Sequence, residues 1–174
     1  MEGIIYGKNI KIFVIPIVYI SKRGGLIQIG EGFSMNSGRY YNQIGRQQKR
    51  FLIAGKSSKI IIGNNAGISS TALICFKEIE IEDNVKIGGN TVIYDSDFHD
   101  LDFKKRTIIP EDTSSVKKSK VTIKNAFISP RSTILKGVTI GEKSIIGAGS
   151  LVSSDIPSNQ NWVGNPAKFI RNIS

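Results

Sequence analysis

The chain has 174 residues, enough for one domain with a sizeable core and short for two. Its hydrophobic share of 40% and charged share of 22% match ordinary soluble globular proteins, and thirty-one isoleucines against six leucines, with 18 glycines, favour strands and tight turns and exclude a helical bundle. The formal net charge of +10 suits anionic partners or plain solubility, while a single cysteine (Cys75) and a single histidine (His99) exclude a disulfide framework, a cysteine-rich zinc site and any metal centre built on two or three imidazoles.

Residues 1–28 read as irregular N-terminal strands. The apolar stretch from Ile10 to Ile20 is about half the length that spans a bilayer. It contains Lys11 and Pro16, and no small-residue cleavage site follows it, so one or two early strands are expected rather than an anchor or a leader. A six-residue period then surrounds Ile29-Gly30, gives way to a polar, basic segment from about Asn36 to Lys59, and returns at Ile62, Ile68 and Ile74. It slips by one, resumes at Ile81, Ile87 and Ile93, and breaks again from about Phe98 to Lys120. Beyond that, Ile128, Ile134, Ile140, Ile146 and Val152 stand six apart without interruption; glycine often follows the aliphatic residue, and the position four places on is small or branched, as at Ser132, Val138, Ser144 and Ser150. Charge is uneven along the way: ten basic and two acidic side chains in residues 1–60, two and seven in 61–100, six and three in 101–120, six and two in 121–174.

A period of six fits neither the 3.6 of a helix nor the alternation of an isolated strand. It fits a flat-sided solenoid in which three hexapeptides close a triangular coil and each aliphatic residue points to the axis. The stacked coils then bury a continuous column worth roughly 1.5–3 kcal/mol per side chain. One all-β domain over residues 1–174 is expected, with a loop protruding around 98–120 and a C-terminal segment at 158–174.

The run Asp95-Ser96-Asp97-Phe98-His99-Asp100-Leu101-Asp102, the basic loop after it, Ile134-Leu135-Lys136-Gly137-Val138-Thr139-Ile140-Gly141, Ile146-Gly147-Ala148-Gly149-Ser150 and Val163-Gly164-Asn165-Pro166-Ala167-Lys168 together resemble the hexapeptide-repeat acyltransferases. Over about residues 20–174 the chain is most similar to the maltose/galactoside acetyltransferase branch and, within it, to sugar O-acetyltransferases of capsule and O-antigen synthesis. The resemblance implies a left-handed parallel β-helix, a short C-terminal helix, a homotrimer, acetyl-CoA as acyl donor without a metal, and a saccharide acceptor in surface polysaccharide biosynthesis. A cytoplasmic enzyme is expected, and loose attachment to the inner membrane face is compatible with the pattern.

Acetyl transfer from a thioester to a sugar hydroxyl needs a base that titrates near neutrality within reach of that hydroxyl. His99 stands six residues after Ile93, where the repeat stops. On the residues alone it is either a base or the cap of a strand; the resemblance implies catalysis, since the family's catalytic histidine occupies this position. Asp97 and Asp95 are candidates to orient the imidazole, and Asp95, Asp100 and Asp102 to bind the acceptor, against the alternative that aspartates form turns at the loop mouth. Ser69 or Ser70 stands where relatives place an asparagine near the acceptor. Gly147, Ala148, Gly149 and Ser150 are implied to flank the pantetheine arm, with ordinary turn packing as the alternative. Lys168 and Arg171 are implied to meet the 3′-phosphate and pyrophosphate of coenzyme A.

Lys104, Lys105 and Arg106 serve that same anion, an acidic glycan or solvent, and Trp162 either walls a pocket or anchors the C-terminal segment. Cys75 offers a covalent route, but the nearby Glu78 and Glu80 would raise its pKa. Direct transfer is therefore expected, by alignment of two bound reactants and an oxyanion donor that the sequence does not identify. Each site is expected between neighbouring copies. A zinc hydrase on the same fold needs three histidines and is excluded by count. An N-acyltransferase acting on an amino sugar and a non-catalytic glycan-binding solenoid are the alternatives. Nucleic acid is not expected, because no basic stretch is interleaved with aromatics in a recognisable module.

Overall fold

In the computed structural model, which describes residues 3–36, 51–108 and 115–173, short strands wind into a three-sided prism. The first coil holds β1 (Ile4–Tyr6), β2 (Lys11–Ile12) and β3 (Ile17–Ile20), and the second β4 (Leu26–Ile29), β5 (Ser34–Asn36) and β6 (Phe51–Ala54). The third holds β7 (Lys59–Ile62), β8 (Gly67–Ser69) and β9 (Ala72–Cys75), and the fourth β10 (Glu78–Ile81), β11 (Lys86–Ile87) and β12 (Val92–Tyr94). A short helix, α1 (Phe103–Arg106), lies in the loop that follows. The fifth coil holds β13 (Val121–Ile123), β14 (Phe127–Ile128) and β15 (Thr133–Ile134), and the sixth β16 (Thr139–Ile140), β17 (Ile145–Ile146) and β18 (Leu151–Val152). The chain ends in β19 (Gln160–Val163) and β20 (Lys168–Asn172).

The first strand of each coil stacks into sheet A (β1-β4-β7-β10-β13-β16), the second into sheet B (β2-β5-β8-β11-β14-β17-β19-β20) and the third into sheet C (β18-β15-β12-β9-β6-β3). Every pairing is parallel except β19 with β20, which is antiparallel. The registers place one inward residue of each strand above the last: Ile29, Ile62, Ile81, Ile123 and Ile140 on sheet A, and Met35, Ile68, Ile87, Ile128 and Ile146 on sheet B. Sheet C contributes Leu52, Leu73, Ile93, Ile134 and Val152. Nearly all are fully buried. The small residues between them close the corners: Ser132 Oγ donates to the carbonyls of Ser129 (2.8 Å) and Gly147 (3.2 Å), and Ser150 Oγ to that of Gly147 (2.6 Å). A hydroxyl at that position satisfies turn carbonyls that would otherwise be buried without a donor.

Four expectations need correction. Ile74 faces outward and Leu73 fills the column, so the period shortens to five between Ile68 and Leu73, where Ser70 adopts a positive φ of 40°, and lengthens to eight between Leu73 and Ile81. The first interruption is shorter than expected, because Phe51 onward already belongs to the second coil; residues 37–50 lie outside the described residues. The segment 1–28 is regular from Ile4, its strands lying in register on all three sheets. The C-terminal helix is absent: residues 160–172 form the β19–β20 hairpin, turning at Gly164 with φ 110°. Physically, Trp162 extends the sheet B column above Ile146 and packs edge-on against Phe169 (centroids 6.3 Å apart), so the hairpin covers the open end of the core. Among the described residues no helix is long and apolar enough to cross a membrane.

Candidate active site

The long loop leaves the prism at the corner between sheets C and A. Its stems pair antiparallel: Ser96 bridges Lys118, Asp97 N–H donates to the Lys117 carbonyl (3.2 Å) and Ser119 N–H to the Asp95 carbonyl (2.9 Å). Directly beyond this clasp His99 N–H donates to the Asp97 carbonyl (2.8 Å), closing a three-residue turn with Phe98 at φ 64°. That is the uncommon, strained form of γ-turn, rarely adopted by a bulky residue. Aromatic packing holds it. The Phe98 ring meets Phe76 edge-on (5.9 Å) and Tyr94 at a tilt (5.3 Å), Lys118 Nζ stands 5.8 Å over Phe76, and Phe98 N–H donates to Ser96 Oγ (3.1 Å). Phe76, Ser96, Phe98, Val116 and Lys118 line a cavity of about 300 Å³ at this turn. His99, exposed, follows Phe98 and is not among the lining residues.

The four aspartates of the motif have four different settings. Asp97 Oδ1 pairs with Lys136 Nζ (2.8 Å), while its Oδ2 is enclosed without a hydrogen-bond partner among the described residues. Asp100 is buried; its carboxylate accepts from the Ser115 hydroxyl and from Asp102 N–H (2.8 Å), with Lys105 Nζ at 3.9 Å. The Ser115 hydroxyl first, then that backbone N–H, holds its carboxyl below the ordinary range. Asp102 caps α1 by accepting from Lys104 N–H (2.9 Å), and Arg106 donates back to the carbonyls of Asp100 and Leu101 (both 3.0 Å). Lys105 and Arg106 are thereby engaged in ordering the loop.

Asp95 is no acceptor ligand, nor does it reach outward to an imidazole: it is fully buried, and its carboxylate takes the N–H groups of Phe76 (2.8 Å), Lys77 (2.7 Å) and Glu78 (2.7 Å). These three amides belong to a corner with no strand above it, so the side chain replaces the missing coil. Cys75 Sγ lies against Asp95 Oδ2 (3.3 Å), and burial, then the Asp95 charge, push its thiol up to about 12. Glu78 instead pairs with Lys120 and Lys59; the hydrogen bond from Lys120 first, then that from Lys59, holds its carboxyl low.

The other predicted residues lie along a different edge. Ser69 opens on the outer face of sheet B with Ser34, Asn36, Lys86 and Phe127, in a cavity that shares no lining residue with the one at Phe98. Gly147 to Ser150 form the corner between sheets B and C. Within it a Cβ on Gly147 would come within 2.5 Å of Val163, and Ser150 is buried with its hydroxyl on the Gly147 carbonyl, so these two serve packing. Ala148 is exposed, and Gly149, at φ 71°, has nothing within 4 Å of where a Cβ would stand. Lys168 and Arg171 are exposed on β20. A bulge there pairs Asn161 with Arg171 and Trp162 with Phe169, skipping Ile170, which brings Lys168 and Arg171 to one face. Trp162 anchors the segment. Phe76, Tyr94, Lys118 and Lys136 were not legible as site residues: only the return of the loop brings them together.

Residues 121–154 match the bacterial transferase hexapeptide family (six repeats). A Schizosaccharomyces pombe protein with an acetyltransferase name is 42% identical over 95 residues, 55% of this chain and 44% of that protein. The chain spans less than half the length of the curated relatives it matches. Among solved structures, a maltose O-acetyltransferase from Clostridium difficile 630 is 36% identical at a TM-score of 0.57, covering 66% of this chain and 59% of that one. A variant of AntD, an N-acyltransferase from Bacillus cereus in complex with dTDP and coenzyme A, is 26% identical at a TM-score of 0.76, covering 97% of this chain and 83% of that one. The shared fold is the left-handed parallel β-helix.

Proposed function

We propose that this chain is an acetyl-CoA-dependent O-acetyltransferase that modifies a saccharide hydroxyl, with His99 as general base. The observation that carries the proposal is the exposure of the sole histidine at the end of a strained turn whose Phe98 lines a cavity, two residues after Asp97, a carboxylate with one enclosed oxygen that has no partner among the described residues. Strain of this kind concentrates where geometry serves chemistry. The acetyltransferase names of the relatives and the coenzyme A held by the Bacillus cereus neighbour support the donor. In the reaction the imidazole removes the acceptor proton as the hydroxyl oxygen attacks the thioester carbonyl; the tetrahedral intermediate then expels the thiolate of coenzyme A, which takes the proton back from the imidazolium. Asp97 positions the base, Ala148 and Gly149 leave room for the pantetheine arm, and Lys168 and Arg171 meet its phosphates. Cys75, buried and held as a thiol, takes no part.

The two halves of this site lie on opposite sides of sheet C, the loop at its sheet A corner and the donor residues at its sheet B corner. Sheet C is also apolar on its outer face, where Phe51, Ile53, Ile74, Val92, Tyr94 and Leu151 stand half-buried. A homotrimer packed on that face sets the loop of one copy against the donor corner of the next, completing each site between neighbours. The expected setting is cytoplasmic, on a precursor of a surface polysaccharide.

N-acylation of an amino sugar is the second reading, favoured by the breadth of the match to the N-acyltransferase. Release of free thiol from acetyl-CoA with a panel of hydroxyl and amino saccharides tests both. Transfer to hydroxyl acceptors, lowered about 10²–10⁴-fold by His99→Ala with coenzyme A binding retained, is the expected result. Equal rates for the two proteins remove the base, transfer to amines alone assigns N-acylation, and glycan binding without thiol release assigns a non-catalytic solenoid. Lys168→Glu/Arg171→Glu should raise the donor KM more than it lowers kcat.

A further inference from the structure

The first coil departs from the others in what it leaves uncovered. Later inward residues of sheet B have a coil on either side and are buried, whereas Ile12 has a coil on one side only and is exposed. The corner that follows it, Phe13-Val14-Ile15, carries three exposed apolar side chains, Ile15 reaching 82%. Tyr6, in register with the inward Ile29 and also exposed, carries the patch to the end of sheet A. At the opposite end of the prism the hairpin and Trp162 close the core. Around the open end stand Lys8, Lys11, Lys22 and Arg23, all exposed, against one acid, Glu31, within residues 3–36.

We propose that this end of the solenoid docks on an anionic lipid bilayer, the Ile12–Ile15 corner inserting at the headgroup–acyl boundary and Lys8, Lys11, Lys22 and Arg23 lying at the level of the lipid phosphates. Charge complementarity selects this occupant. Anionic leaflets attract clustered lysines and arginines close to their surface, and an apolar corner beside them adds a hydrophobic anchor. A second copy stacked end to end would bring two cationic rims together and is repelled. The apolar residues form a protruding turn rather than a groove, which suits a fluid layer that moulds around it. Ile17 and Tyr19 face outward from sheet C and are left to the side face of the prism. The inference stands apart from the transferase reading and assigns a role to the described part of the basic N-terminal region.

Sedimentation of the full chain with vesicles of phosphatidylcholine, with or without one third phosphatidylglycerol, tests it at low and physiological salt. Binding to the anionic vesicles, at least about tenfold weaker on neutral ones and weakened by salt, is expected. Lys8→Glu/Lys11→Glu should abolish the preference and Ile15→Ser should lower partitioning about tenfold. Lys124→Glu/Lys143→Glu, removing two exposed cations from the later coils, should change little. Because Cys75 is buried, Ile15→Cys accepts a single environment-sensitive dye, whose emission should shift to the blue on anionic vesicles alone. Absence of binding at low salt, an equal loss in both double variants, or an unshifted dye overturns the proposal; lipid-free association strengthened by Lys8→Glu/Lys11→Glu would assign the end to a second copy. None of these readouts depends on acetyl transfer.

Discussion

At the scale of the residue, the site depends on a conformation that Phe98 would not choose alone. Its positive φ costs on the order of 1–3 kcal/mol, and the two ring contacts with Phe76 and Tyr94 return about 0.5–1.5 kcal/mol each. Phe98→Gly removes both terms, so thermal stability should move by no more than about 1–2 kcal/mol. The imidazole, however, would lose its fixed position, and misplacement of a catalytic group by about 1 Å can cost 10²-fold. A fall in kcat of ten- to a hundredfold, with donor KM and melting temperature nearly unchanged, is expected from steady-state kinetics and thermal unfolding. The sequence singles out His99 because an isolated histidine at the end of a repeat stands out, and Asp97 because it stands two residues before it. Asp95 was misread for a physical reason: a short carboxylate beside a loop binds three backbone amides as readily as a substrate, and nothing local separates the two uses. Phe98 carries no signal of its own in the sequence, since its φ is set only when the chain is folded.

The loop is the element whose order matters most, and Asp100 ties it together. Its carboxyl is held below the ordinary range by Ser115 and the Asp102 N–H, so the stabilisation it brings is present above the unfolded value near 4 and is lost as pH falls through the lowered folded value. Amide exchange in residues 100–107 should therefore accelerate as pH drops below about 4, after correction for the intrinsic rate. Ser115→Ala should produce the same loosening at neutral pH while the coils keep their protection, and hydrogen exchange read by mass spectrometry checks both. Other elements were legible to different degrees. The unbroken run from Ile128 to Val152 marks the sixth coil and two of the three strands of the fifth, because each inward position is aliphatic and each corner small. Ile74 misled because Leu73 and Ile74 are adjacent aliphatics and a five-residue step is indistinguishable from six until Ser70 is seen at the corner. The C-terminal hairpin was missed because alternation over four or five residues is a weak signal, and covering the end of a core is a tertiary demand that local propensity does not register.

For the whole molecule, what decides between a monomer and a trimer is the character of the three outer faces. Sheet A carries Lys59, Glu78 and Glu80, linked to Lys120 by ion pairs, and sheet B carries Lys11, Ser34, Ser69 and Lys86 beside Phe127; both are mixed faces with charged side chains. Sheet C carries Ile53, Ile74 and Tyr94 in one row and Phe51, Val92 and Leu151 in another, an apolar surface of the kind that marks an interface. In the proposed assignment, the loop and the donor corner on either side of that sheet each hold half of what transfer requires. Ile74→Glu puts a charge at the middle of the face without touching the inward column, where Leu73 is the buried neighbour. Sedimentation equilibrium should give three times the 19.1 kDa chain mass for the wild type and a single chain for the variant. Far-ultraviolet circular dichroism should be unchanged, since the prism is closed within one chain, while transfer should fall at least a hundredfold because positioning of the donor against the base is lost. A variant that stays trimeric would shift the interface to another face, and a fully active single chain would place the donor and His99 within one copy.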